Sequence, residues 1–153
     1  RGAKRIARAI VRERERGKIK STLDLAKTVE RLIPRRGRRH PATKVFQAVR
    51  MAVNDELENL EKGLLEAVGL LKEGGRIAVI AFHSLEDRIV KRFMAEHAGR
   101  NESLQEGGVR WLGTLPRMRL LNKKPMVPSD EEAARNPRAR SAKLRAAEVI
   151  KVR

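Results

Sequence analysis

At 153 residues, with 36 Lys+Arg against 19 Asp+Glu and a net charge of +17, the chain has the length of one compact domain and the charge of a protein that meets polyanions. It contains no Cys, which excludes disulfides, thiolate zinc sites and a cysteine nucleophile. The longest apolar run, residues 77–82, falls far short of the roughly 20 residues that cross a bilayer, and residues 1–16 are too charged for a signal peptide, so a soluble, cytoplasmic protein without a membrane partner is expected.

Ala3, Ile6, Ala7 and Ile10 form one stripe of a helix over residues 3–16, which Gly17 stops. Ser21 or Thr22 caps a second helix carrying Leu25, Val29, Leu32 and Ile33 on one face, with Pro34 after its end. The densest cationic run follows: Arg35-Arg36-Gly37-Arg38-Arg39-His40. Pro41 suits the first turn of a third helix. Its apolar pattern runs from Val45 to Leu71, long for a globular helix, which predicts a break near Asn54-Asp55 or at Gly63.

Gly74-Gly75 then turns the chain, and the continuous apolar run 77–82 reads as a strand buried on both faces, the pattern of a parallel sheet. Residues 84–97 return to helical spacing, with Leu85, Ile89 and Phe93 at fours. Residues 99–116, rich in Gly, Pro and polar side chains, predict a loop; residues 118–121 predict a short strand. Ser129-Asp130-Glu131-Glu132 is a capping box for a short helix. Residues 143–152 read equally as helix or strand. Helix, glycine pair, buried strand and capped helix make half of a doubly wound α/β sheet. So few strands, in a chain that opens inside an uncapped helix, suggest the C-terminal portion of a larger protein.

Charge is distributed unevenly: residues 1–50 carry +13, residues 51–100 carry −2, and residues 101–153 carry +6. That points to a folded centre with basic flanks that bind phosphates. The Arg-rich loop lacks the apolar face that an anionic membrane would require, leaving nucleic acid, or a merely solvated linker, as its reading. Aromatics are 3%, too few for a base-stacking platform. In open α/β sheets ligands bind beyond the carboxyl ends of the strands, which makes His83 and Ser84 candidates for contacting a substrate base or phosphate. The structural alternative has Ser84 capping the following helix, Asp87 completing the box, and His83 bonding only backbone. No metal site is expected, because His40, His83 and His97 lack zinc-motif spacing, and no Walker loop, hydrolase elbow or G-x-G-x-x-G occurs.

Four blocks in order carry a resemblance: His40-Pro41-Ala42-Thr43-Lys44-Val45-Phe46-Gln47-Ala48; Ala52-Val53-Asn54-Asp55-Glu56-Leu57; Phe82-His83-Ser84-Leu85-Glu86-Asp87-Arg88-Ile89-Val90-Lys91; and Asn136-Pro137-Arg138-Ala139-Arg140-Ser141-Ala142-Lys143-Leu144-Arg145. Together they closely resemble the C-terminal half of the MraW/RsmH family, S-adenosylmethionine-dependent methyltransferases acting on cytosine N4 of 16S rRNA. The resemblance implies an α/β fold: the later strands of a partial Rossmann-like class I methyltransferase sheet, over residues 41–153, plus the tail of a helical substrate-recognition insertion, residues 1–40. It tips residues 143–152 toward strand.

It further implies 16S rRNA or the small ribosomal subunit as partner, with Arg35, Arg36, Arg38, Arg39, His40 and Lys44 on RNA, and Arg138, Arg140 and Lys143 either as a second phosphate-facing patch near the active-site edge, joining the substrate candidates His83 and Ser84, or as a solvated basic loop. The family's S-adenosylmethionine loop would lie upstream of this chain, so no catalytic or cofactor-binding residue is assigned. Cytosine C5 methylation usually needs a cysteine, whereas an exocyclic amine attacks the methyl directly, and catalysis becomes placement and electrostatics. An open sheet edge, with low stability or a homodimer covering it, follows from a half-sheet. The alternative is a non-catalytic basic RNA-binding or ribosome-associated module.

Overall fold

The computed structural model describes residues 2–35, 37, 40–103, 109–112 and 117–150. Its contacts divide the chain into two units, Arg1–Glu56 and Leu57–Arg153.

The first unit is helical. α1 (Gly2–Glu15) ends just before Gly17, whose φ of 65° is the left-handed conformation that glycine adopts without strain. It meets α2 (Thr22–Glu30), with Ala9 and Val29 buried and Ile6 and Ile10 half-buried. Ser21 caps α2: its hydroxyl accepts from the Asp24 amide at 3.2 Å, and the Asp24 carboxylate accepts from the Ser21 amide at 2.9 Å. The Arg5 guanidinium donates to the Leu32 carbonyl at 2.7 Å, fastening the chain beyond α2 back to α1. The long helical pattern breaks at Asn54-Asp55, where Asp55 takes a φ of 48°, giving α3 (Thr43–Val53) and α4 (Glu56–Leu70). Gly63 stays inside α4. Pro41 precedes the first turn of α3 instead of entering it, and Ala42 is the N-cap.

The second unit is built on β1 (Arg76–Ala81), α5 (Ser84–Ala98), β2 (Arg100–Ser103), β3 (Val109–Leu112), β4 (Met118–Leu120), α6 (Asp130–Arg135), a single 3-10 turn (Ala139–Ser141) and β5 (Lys143–Val149). Residues 143–149 are therefore strand. The main sheet has the order β1-β5-β4, and both neighbours run antiparallel to β5, so β1 and β4 point the same way. This corrects one expectation: β1 is neither paired in parallel nor buried on both faces. Its side chains alternate, with Ile77 and Val79 packed inward and Ile80 57% exposed on the opposite face. The reason is coverage, since one face of the sheet packs with Leu64 of α4 and Val90, Phe93 and Met94 of α5, around Met118 and Ala147.

A second correction concerns the segment read as loop, which holds the hairpin β2–β3 with Arg100 opposite Leu112 and Ser103 opposite Val109. β2 is wholly polar, and the alternation of Val109-Arg110-Trp111 in β3 is too short to stand out beside the neighbouring glycines. Residues 104–108 and 113–116 lie outside the described residues. Among the described residues no helix is long and apolar enough to cross a membrane, and no group of three His, Asp or Glu is arranged to hold a metal ion.

The glycine pair stitches α4 to the sheet. The Gly74 amide donates to the Val149 carbonyl at 2.9 Å, and the Val149 amide to the Gly75 carbonyl at 2.8 Å. A Cβ on Gly75 would sit 2.7 Å from the Lys72 carbonyl oxygen, to which the Gly75 amide already donates. Gly75→Ala is therefore expected to destabilise the chain by about 1–3 kcal/mol, read as a lowered urea midpoint at unchanged m-value. An unaltered midpoint would mean the turn opens without cost.

Candidate functional site

Two segments far apart in sequence converge at one end of the sheet. β5 starts where β1 ends, because Ala81 is paired with Lys143, so the chain leaves β1 through residues 82–84 at the end of the sheet where β5 begins. Of the residues singled out from sequence, Lys143 is thus brought beside the stretch that carries His83 and Ser84, while Arg138 and Arg140 lie on the 3-10 turn that leads into β5.

His83, not Ser84, is the N-cap of α5. Its Nδ1 accepts from the Glu86 amide at 3.3 Å, and Glu86 Oε2 accepts from the amides of Phe82 and His83 at 2.9 and 3.1 Å. The capping box therefore lies one residue earlier than Ser84 and Asp87 would place it. With Nδ1 accepting, a neutral ring carries its proton on Nε2. That atom is buried and lies 3.2 Å from Glu86 Oε1, in a geometry that makes no hydrogen bond. Ser84 is left exposed on the first turn, its side chain not used in the cap.

Freed from capping, Asp87 turns into the unit. Its Oδ1 accepts from Arg145 Nε at 2.7 Å and its Oδ2 from Lys143 Nζ at 3.2 Å. Asp87 and Arg145 are 9% and 8% exposed, which makes this a buried ion pair joining the start of α5 to β5. The Arg145 hydrogen bond, above all, holds the Asp87 carboxyl below its ordinary value, against the opposing push of burial. Sequence reading missed the pair because Asp87 was given to the cap. The available signal was the i, i+2 spacing of Lys143 and Arg145, which puts two cations on one face of a strand.

Lys143 thus spends its ammonium on Asp87, while its side chain stays 39% exposed toward the edge. Arg138 and Arg140 are both exposed on either side of buried Ala139, which roots the 3-10 turn. The outer sheet face near this edge holds a hollow of about 220 Å³ lined by Ile80, Met126, Val127, Pro128, Glu132, Ala142 and Leu144.

The Arg-rich loop belongs to the other unit. Arg35 is exposed, Gly37 has a φ of 76°, and Arg36, Arg38 and Arg39 lie outside the described residues. His40 is occupied at both nitrogens: Nδ1 accepts from the Ala42 amide at 3.1 Å, and Nε2 lies 2.7 Å from Glu30 Oε1. It ties the loop's end to α2 and α3. Lys44 is exposed on the first turn of α3.

Comparison with known proteins gives this arrangement its setting. The MraW methylase family matches residues 1–150. A protein of Carboxydothermus hydrogenoformans named ribosomal RNA small subunit methyltransferase H is 52% identical over 150 residues, covering 97% of this chain and 48% of its own length. Proteins of the same name from Methylococcus capsulatus and Thermomicrobium roseum are 54% and 55% identical, each over 95% of this chain, covering 48% and 45% of their lengths. The chain spans about half the length of the curated relatives it matches. Matched to it over nearly its whole length, the chain belongs to the MraW methylase family.

Proposed function

We propose that these residues are the RNA-gripping, carboxyl-terminal half of an enzyme that moves a methyl group from S-adenosylmethionine to N4 of a cytidine in 16S rRNA. The observation that carries the reading is the 52–55% identity, along nearly the whole of this chain and about half of each relative, to proteins named as small-subunit rRNA methyltransferases. In this reading Arg35, Arg36, Arg38, Arg39 and Lys44 hold rRNA phosphates, and His40 fixes the end of their loop. Residues 1–40 serve as part of the substrate-recognition insertion, and residues 41–153 as the later part of the catalytic domain. Ser84, Arg138, Arg140 and Lys143 line the edge that faces the target nucleotide. His83 orders that edge as the cap of α5. The homodimer expected of an open sheet edge belongs to the same proposal, with β1 as the strand that pairs. A cytoplasmic location goes with it.

The hollow on the outer face of the sheet does not fit S-adenosylmethionine. The chain has no glycine-rich loop at a strand end, and the hollow at the β1 edge is apolar apart from Glu132. A sulfonium nucleoside would need hydrogen-bond partners and counter-charge that these side chains do not offer. The chain's own share of the reaction is therefore to bind RNA and to orient the target edge. Calorimetry of the 153-residue chain with S-adenosylmethionine is expected to show no tight binding. Micromolar affinity would overturn the division of labour. For the full-length protein, nuclease digestion and mass spectrometry of methylated rRNA are expected to give N4-methylcytidine, and a C5 product would overturn the assignment.

A further inference from the structure

We propose that the outward face of α1 is a second RNA track, on which Lys4, Arg8 and Arg12 hold successive phosphates independently of the Arg-rich loop. The inference rests on the RNA-binding reading above and adds a site to it.

Three observations carry it. The first is the side chains' placement. Residues four apart share a helix face, rising about 6 Å per step, so Lys4, Arg8 and Arg12 form one row along the axis. Ala9 and Glu13, the buried residues of α1, lie on the other side of the helix, and all three cations are exposed.

The second is that these charges are not neutralised locally. Among the described residues Lys4 and Arg8 have no ion pair, and Arg12 meets Glu13 only at 3.8 Å with its side chain 61% exposed. Arg5, by contrast, is engaged with the Leu32 carbonyl, and Arg16 contacts Glu13 at 3.4 Å.

The third is where the carboxylates of α1 and α2 are. Glu13 is turned inward at 7% exposure, Asp24 is in the cap of α2, and Glu30 is on His40. Only Glu15 reaches the row, three residues beyond Arg12. A row of cations left uncompensated at evenly repeated steps is costly for the helix alone, and a strand of phosphates relieves it. The row reads no base edges. It sets the register of the RNA while other residues select the nucleotide. A membrane surface is disfavoured, since among the described residues of α1 Val11, 41% exposed, is the one exposed large apolar side chain.

The test is the triple variant K4Q/R8Q/R12Q of the 153-residue chain, titrated with a 16S rRNA fragment over a range of salt. Glutamine keeps helix propensity, so far-UV circular dichroism and the melt should match the parent. The slope of log K against log salt is expected to fall by about 2–3, and affinity at 0.1 M salt to drop roughly 100-fold. A charge-matched control, K72Q/K91Q/K123Q, is expected to leave the slope close to the parent's. If the control lowers the slope as much as the triple variant does, net charge alone is acting and the track is overturned. An unchanged slope in the triple variant also overturns it, as does lost binding to phosphatidylserine vesicles with RNA affinity intact. If the parent itself shows no salt-dependent RNA binding, the RNA-gripping reading fails first, an outcome distinct from the others.

Discussion

Asp87→Ala is expected to cost about 3–5 kcal/mol of stability, because it leaves the Arg145 guanidinium buried without its counter-charge. Lys143 cannot compensate, being itself a cation on the same carboxylate. Asp87→Asn keeps the shape and one acceptor, and should fall between the two. Converting Arg145 to Met in the Asp87→Asn background removes the stranded charge and should recover part of the loss, which a double-mutant cycle would read as strong coupling. Acid unfolding gives a second readout. The Asp87 carboxyl titrates below its ordinary value of 3.8 in the folded chain, so the unfolded chain binds its proton first as pH falls. The stabilisation is whole above that value and is lost as pH drops through the folded one. Asp87→Asn should therefore flatten the parent's stability loss below about pH 4. A variant as stable as the parent at pH 7 would mean that the pair contributes nothing net.

The second large effect is expected in RNA binding. Replacing Arg35, Arg36, Arg38 and Arg39 together by Gln should lower the salt slope by about 3–4, the share of four phosphate contacts. His40 should keep the loop's end in place through Glu30 and the Ala42 amide, so the helical unit's melt should not move. An unchanged slope would remove this loop from the interface. Combining the loop and α1 substitutions should give additive losses if the two segments bind separate phosphates.

Local signals in the sequence were readable where one short-range rule dominates. Ser21 capped α2 with Asp24 as the box requires, Asn54-Asp55 broke the long helix, and Gly74-Gly75 made the turn into β1. What misled was tertiary. An apolar run such as residues 77–82 looks the same whether both faces or one are covered, and pairing direction leaves no mark in it. The α5 cap was displaced by one residue because His is an uncommon N-cap and Ser84 a common one. That displacement hid the Asp87–Arg145 pair, whose partners are 58 residues apart. The convergence of His83 with Lys143 depended on strand register, which only the fold supplies. The charged loop needed no fold to be noticed, since its composition alone marks it.

The sheet order has a consequence for how the chain comes into being. β5 lies between two strands that are made before it. β1 and β4 do not pair with each other, so as synthesis proceeds this part of the sheet can close only when residues 143–149 emerge. A stop codon a few residues upstream of Lys143 would thus remove the middle of the sheet and not its rim, and the truncated product should be cleared as unfolded polypeptide.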